Sequence, residues 1–467
     1  MYQIDINNPV HIHFIGIGGI SMSGLAALLA SKGFKVSGSD RDKSEITKLL
    51  SQKGIKIYYG QYADNITDDI DVVVYTAAIH PDNPEYAECV RRGLPMMDRA
   101  TLLGELCKFF KTSIGVAGTH GKTTTTSMLA TILLSADTDP TISVGGMLPA
   151  IGGNLRIGEG NQFLFEACEY TNSFLKFFPT DEVILNIEAD HLDFFKDLDD
   201  IRHSFNKYVR LLPEDGHLVI NGAISKLEEI TEGCKCPVIT YGITPEGEDA
   251  AKFPYNYTAA NIEFNELGRA TYELIENGIG ITTISLGVPG LHNVSNSLAA
   301  IALSRALGIS MAHIKEGLLS FTGTERRFQK KGEICGVTII DDYAHHPTEI
   351  SATLATAKKY NAKNVWCVFQ PHTYSRTIAL KDEFVQALRA ADKVVLAKIY
   401  AAREIDEGVI SSADLCEELK ALGVEAYYFP TFDEIENFLL NNLVNGDMLI
   451  TMGAGDVVKI GEHLLGK

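Results

Sequence analysis

A chain of 467 residues is too long for one hydrophobic core and implies about three domains. Its 45% hydrophobic and 22% charged residues are ordinary for a globular protein, and a net charge of -19 disfavours nucleic acid and anionic membranes as partners. The eight cysteines are scattered, and the close pair Cys234-Lys-Cys236 lacks metal-site spacing, so all are expected as reduced thiols. The N-terminus lacks a basic leader region, and no apolar run is long enough to span a bilayer, which makes a cytoplasmic chain the expectation.

Residues 1–108 alternate short apolar runs with helical stretches. His11–Ile15, Lys35–Ser37 and Asp71–Tyr75 read as strands and Ile20–Ala30 as a helix, a pattern that predicts a parallel, Rossmann-like sheet. The first turn, Gly16-Ile-Gly-Gly-Ile-Ser21, together with Asp40 after the second strand, suits a nucleotide diphosphate at the switch point of such a sheet. Ser21 occupies the third-glycine position of the dinucleotide pattern.

Residues 109–322 begin with the most informative segment, Gly115-Val-Ala-Gly-Thr-His-Gly-Lys-Thr-Thr-Thr-Thr126. A strand precedes it and apolar residues at helical spacing follow, so the loop opens a helix whose free N–H groups and dipole attract phosphate. Lys122 is placed to contact terminal phosphates and Thr123 to ligate Mg²⁺. The competing reading is a Thr-rich helix start whose hydroxyls only cap N–H groups. Strands at Gln162–Phe165 and Val183–Ile187 end in Glu166 and in Glu188, Asp190 and His191, and such strand ends gather at the ligand edge of a parallel sheet. Thr123, Glu166 and His191 together suit Mg²⁺ or Mn²⁺; singly, the last two read equally well as surface groups. Asn293 and Asn296 start a further helix, either as caps or as partners for a base or ribose.

A basic connector, Phe321–Lys331, reads as an interdomain hinge. Residues 323–467 form a second Rossmann-like unit, with strands at Val337–Ile340, Val365–Phe369, Val394–Leu396 and Met448–Ile450. Polar clusters follow three of these strands: Asp341–Pro347, Gln370–Arg376 and Thr451–Asp456.

These residues together resemble the Mur ligases of bacterial cell-wall synthesis, across essentially the whole chain. The most specific segments are Gly16-Ile-Gly-Gly-Ile-Ser-Met-Ser23, Gly118-Thr-His-Gly-Lys-Thr-Thr-Thr125, Asp341-Asp-Tyr-Ala-His-His-Pro-Thr-Glu349, Phe369-Gln-Pro-His-Thr-Tyr-Ser-Arg376 and Gly453-Ala-Gly-Asp456. The resemblance implies a UDP-sugar domain, a central P-loop ATPase-like domain for ATP and Mg²⁺, and a C-terminal amino-acid domain. The implied activity is ATP-dependent joining of L-alanine to the carboxylate of UDP-N-acetylmuramate through an acyl phosphate.

Carried over by motif, Gly118, Thr119, His120, Gly121, Lys122, Thr123, Thr124, Asn293, Asn296 and Asp342 hold the nucleotide, with Arg326 or Arg327 reaching its phosphates. Lys122, His345 and Arg376 are the implied catalytic groups, the last two near the amino acid and the reacting carboxylate. Gly18, Gly19, Ser21, Ser39, Asp40, Tyr343 and His372 are the implied substrate contacts. The chain departs from relatives at Gln61, at Thr76-Ala-Ala-Ile79 and within Glu166-Ala-Cys-Glu-Tyr-Thr171, which keeps both glutamates, and Phe205 stands where other family members carry a carbamylated lysine, so that modification is not expected. Oligomeric state stays open between monomer and homodimer. Rival readings are a family member that joins a preformed peptide, an NAD-dependent oxidoreductase suggested by Gly16, Gly18 and Asp40, and a nucleotide-binding module without turnover. The oxidoreductase leaves Lys122 without a role.

Overall fold

The computed structural model describes residues 2–76, 79–245, 247–402 and 404–467, and every count of strands, helices and contacts refers to those. Ala77 and Ala78, within the departure at 76–79, lie outside them. Three sheets follow one another along the chain. The first has five parallel strands in the order Lys56–Tyr59, Lys35–Asp40, His11–Ile15, Val72–Tyr75, Met96–Asp98. The strand order reverses at His11–Ile15, so the crevice beyond Ile15 and Tyr75 is its switch point.

The central sheet has ten strands, and its middle is parallel as expected: Val238–Ile243, His217–Asn221, Asp181–Ile184, Thr112–Ala117, Gln162–Glu166, Thr141–Leu148. Its flanks depart from a purely parallel reading. Tyr257–Phe264, Arg269–Glu276 and Ile279–Pro289 form an antiparallel meander, and Gly153–Arg156 returns antiparallel on the other edge. Alternating sequences such as Arg-Ala-Thr-Tyr-Glu-Leu-Ile-Glu276 suit such half-exposed flanks, whereas the middle strands are buried along most of their length because both faces are covered. The helix Lys122–Ser135 is buried over most of its circumference, packed on the sheet and against Leu291–Ala306 and Met311–Ser320.

The C-terminal sheet runs Gln329–Ile334, Val337–Asp342, Met448–Met452, Val365–Phe369, Lys393–Leu396, Glu425–Tyr428, parallel except for the first pair. Two expectations shift here. Gln329–Lys331, read as the end of the hinge, belong to an edge strand, so the connector proper is 321–328. The strand expected to stop at Ile340 continues through Asp341 and Asp342, which places Asp342 at the sheet's carboxyl edge. In the central sheet, the strand expected over Val183–Ile187 ends at Ile184, because Asn186 turns to bind the phosphate loop.

One apolar core joins the first domain to one face of the central sheet through Phe110, Phe163, Phe165 and Phe177; a second fills the opposite face. Phe205 lies inside the first, its ring 5.2 Å from that of Phe174. The Cys234 and Cys236 sulfurs are 3.5 Å apart and unbonded, and all eight cysteines are free thiols.

Candidate active site

The strand Thr112–Ala117 enters a four-residue loop and the helix Lys122–Ser135 leaves it. Gly118 and Gly121 adopt φ of +131° and +85°, and a Cβ on Gly121 would lie 2.8 Å from Asn296 Oδ1, so both conformation and space require glycine. The loop is fastened to the neighbouring strand end. Thr119 N donates to Asn186 O (3.1 Å), His120 N to Asn186 Oδ1 (2.7 Å), and Glu188 N to Thr119 Oγ1 (2.9 Å). Gly121 is the N-cap and no side chain caps the helix, which overturns the reading of these threonines as caps. Its first-turn N–H groups, including those of Lys122, Thr123 and Thr124, therefore face the loop mouth as an anion site.

Lys122 Nζ pairs with the buried Glu169 at 3.1 Å and donates to the carbonyls of Gly118 and Thr119. Burial opposes its charge, but the field of Glu169 more than offsets this and raises its pKa, so the ammonium is fixed at neutral pH. Glu166, at the end of its strand, accepts from Gly145 N at 2.5 Å. A Cβ on Gly145 would lie 2.8 Å from that carboxylate, so glycine keeps the space beside Glu166 open; one on Gly146 would meet the Thr324 methyl at 2.8 Å and the Thr123 methyl at 3.3 Å. His191 sits farther along its own loop, stacked on Tyr170 at 4.5 Å with Nε2 3.8 Å from Asp190.

A cavity of about 180 Å³ adjoins the loop and is lined by His120, Gly121, Thr124, Asn296, Arg327 and Asp342, among others. Asn293 and Asn296 face it; their helix is capped by Gly290, so the capping reading fails for them too. Asn293 Nδ2 donates to Pro289 O and Asn296 Nδ2 to Asn293 Oδ1, an arrangement that leaves amide oxygen free on Asn296. The two arginines part company. Arg326 is spent within the C-terminal domain on Asp341 and the carbonyls of Gly453 and Gly455, whereas Arg327 lines the cavity, 3.6 Å from Glu349. Asp342 accepts from Phe328 N, Ala344 N and Thr353 Oγ1, and burial, only partly countered by Arg327, pushes it up to about 6. Tyr343 lies between both guanidinium groups, 4.9 Å from Arg326 and 5.4 Å from Arg327.

A second, smaller cavity separates the central and C-terminal domains, lined by Asp190, His191, Thr373, Ser375 and Arg376. Arg376 reaches across to Asp190 at 3.0 Å, and its other nitrogen lies 3.2 Å from His372 Nδ1. Burial pushes His345 and His372 down to about 4, against the opposing pull of carboxylates, so both rings are neutral at physiological pH.

In the first domain, Gly18 N donates to Asp40 Oδ2 (2.8 Å), so Asp40 braces the glycine turn. Gly19 caps the helix Ile20–Ser31, and Ser21 is exposed on its first turn. Ser39 points inward, fully buried, donating to Glu85 at 2.5 Å. Gln61 accepts from Asn83 Nδ2 at 2.7 Å. Three groups escaped the sequence reading as site residues: Glu169, Asn186 and Glu349. Glu349 closes the Asp341–Glu349 motif without having been singled out, and Asn186 carried a signal as an amide interrupting an apolar strand run.

Three α/β domains in series, the middle one presenting a lysine-bearing phosphate loop toward its C-terminal neighbour, define a nucleotide-binding protein with its site at a domain interface. Family profiles match in the same order: "Mur ligase family, catalytic domain" over residues 11–111, "Mur ligase middle domain" over 116–304 and "Mur ligase, glutamate ligase domain" over 326–455. The chain belongs to the Mur ligase family. A protein named UDP-N-acetylmuramate--L-alanine ligase from Lachnospira eligens is 61% identical over 465 residues, covering 100% of both chains, and its namesake from Agathobacter rectalis is 56% identical over 467. Among solved structures, UDP-N-acetylmuramate-alanine ligase from Thermotoga maritima matches with TM-score 0.80 at 31% identity over 98% of each chain. A murein peptide ligase from Psychrobacter arcticus matches with TM-score 0.72 at 26% identity, also over 98% of each.

Proposed function

We propose that this protein joins L-alanine to the carboxylate of UDP-N-acetylmuramate at the expense of ATP, as a step in peptidoglycan precursor synthesis. The observation that carries the reading is the half-buried Lys122 at the mouth of an uncapped helix, in a chain 61% identical end to end to a ligase of that name. A carboxylate is a poor acyl donor. Transfer of the γ-phosphoryl group to it creates an acyl phosphate, the alanine amine attacks the acyl carbon, and the C–O bond to phosphate breaks to leave the amide.

On this reading residues 1–108 hold the UDP-sugar, 109–322 the ATP and 323–467 the amino acid. Lys122 and the first-turn N–H groups neutralise the migrating phosphoryl group, work done by charge and position. The glycine-lined space beside Glu166 fits a hard divalent ion, and Thr123, Glu166 and His191 would hold Mg²⁺ or Mn²⁺, which spreads the phosphate charge. Arg327, Asn296 and Asp342 orient the nucleotide, with Asn293 supporting Asn296; Arg326 supports this wall from within the C-terminal domain. Arg376, freed from Asp190 or shared with it, suits a carboxylate through its planar fork, with neutral His345, His372 and Tyr343 around it. In the first domain Gly18, Gly19 and Ser21 face the sugar nucleotide's phosphates, while Asp40 and Ser39 hold that turn and strand in place.

The test is release of phosphate from ATP in the presence of each substrate pair. Release is expected only with UDP-N-acetylmuramate and a small amino acid together, fastest with alanine when alanine, serine and glycine are compared side by side. Preference for a preformed peptide would move the chain to another branch of the family, and NADH oxidation would overturn the reading.

A further inference from the structure

His120, Glu188 and His346 come together at the seam between the central and C-terminal domains, the one group of three or more metal-ligating side chains found among the described residues with atoms within 4.8 Å of one another. The hydrogen bonds around them set the tautomers. His120 Nδ1 lies 3.3 Å from the Glu349 carboxylate, and His346 Nε2 lies 3.3 Å from the carbonyl of Ala189. His120 Nδ1 keeps its proton toward Glu349, so Nε2, which faces Glu188, is the nitrogen whose proton a metal ion would displace; His346 Nε2 faces a carbonyl and carries that ring's proton, which leaves the lone pair on His346 Nδ1. His120 Nε2 and His346 Nδ1 lie 3.5 Å and 4.0 Å from Glu188 Oε2. The His120 side chain is nine-tenths buried, and its Nε2 has no hydrogen-bond partner. His346 Nδ1 receives only a long 3.4 Å contact from Thr348 N, and Thr348 Oγ1 donates to Glu188 Oε2 at 2.6 Å.

We propose that His120, Glu188 and His346 form a transition-metal site, of the kind taken by Zn²⁺ or Co²⁺, that bridges the phosphate loop and the C-terminal domain. Two imidazoles and one carboxylate, each imidazole oriented through its far nitrogen by a carboxylate or a carbonyl, are the donors and outer partners such ions use, and they suit Mg²⁺ poorly. Metal–ligand bonds of about 2.0–2.2 Å require the three atoms to close by about 1 Å, which side-chain rotation supplies. Glu188 is 35% exposed, so a water completes the shell from the cavity side. This site is separate from the one assigned to Thr123, Glu166 and His191, and it stands whether or not the ligase reading does. An ion there ties His120 of the loop to His346 across the seam and acts as a brake on domain opening.

The test is titration of the full-length, nucleotide-free protein with Co²⁺, followed by absorption, and displacement by Zn²⁺. One equivalent is expected, with the visible bands of a low-coordinate nitrogen and oxygen site and no sulfur charge-transfer band. His346→Gln, whose amide still reaches Thr348 N, and the isosteric Glu188→Gln should each weaken binding at least tenfold. Thr348→Val, which only releases Glu188, should weaken it about tenfold. Cys234→Ser should leave it unchanged. No binding by the parent chain, a sulfur band, or undiminished binding in the folded variants would each overturn the proposal and leave the cluster as an ion-pair network.

Discussion

Lys122 and Glu169 show what one residue can and cannot reveal from sequence. The lysine was legible because its role is local: a glycine before it, hydroxyls after it, and a strand and helix on either side. Its counter-charge was not, since Glu169 lies 47 residues away and only the parallel pairing of two strands brings it within 3.1 Å. Lys122→Ala is expected to abolish phosphate release, by about 10²-fold or more, while UDP-sugar binding measured by calorimetry stays within about twofold. Equal loss of both in a folded variant would refute the division of nucleotides between domains. Glu169→Gln leaves a half-buried ammonium without its counter-charge and should cost about 2 kcal/mol of stability in a denaturant melt. ATP should restore more stability to this variant than to the parent, because phosphate replaces the lost carboxylate.

At the scale of elements, the alternating runs of apolar strand and helix were readable because a parallel sheet demands them, and so were most strand positions. The antiparallel meander 257–289 was not, because its half-exposed alternation resembles polar connecting sequence. Strand ends also eluded the sequence: Asn186 and Asp342 are placed by hydrogen bonds to other elements, which periodicity does not report. Gly118→Ala should fold with a loss of more than about 1 kcal/mol and lose ATP binding, since the backbone there has φ of +131°. A fluorescent-nucleotide titration with unchanged affinity would contradict the loop assignment. The seam between the second and third domains carries its own pH dependence. Burial lowers His345 and His372 each to about 4, so the unfolded chain binds more protons than the folded one between about 6.5 and 4. Their contribution is fully present above pH 6.5 and is lost as pH falls toward 4. His120 behaves oppositely: burial opposes its charge, yet Glu188 and Glu349 raise it to about 9, so its contribution holds below pH 6.5 and fades as pH rises through 9. Melting temperature should therefore fall on both sides, and a His345→Gln, His372→Gln double variant should flatten only the acid side.

For the molecule as a whole, the division into three α/β domains followed from length and from the recurrence of strand-helix patterns, while the way the domains meet did not. Arg376 and Asp190 lie 186 residues apart, and no local pattern joins them. Asp190→Asn should loosen the second domain from the third, raising the radius of gyration in X-ray scattering of the nucleotide-free chain and raising the KM for the amino acid more than it lowers kcat. An unchanged radius with unchanged KM would make that contact incidental. The deepest claim is that a phosphoryl group passes from ATP to an acid before the amine attacks. UDP-N-acetylmuramate carrying ¹⁸O in its lactyl carboxylate tests it directly, by mass analysis of the products after turnover with ATP and L-alanine. One ¹⁸O in the released phosphate and none in the nucleotide is the result expected; label in the nucleotide, or unlabelled phosphate, would contradict the mechanism.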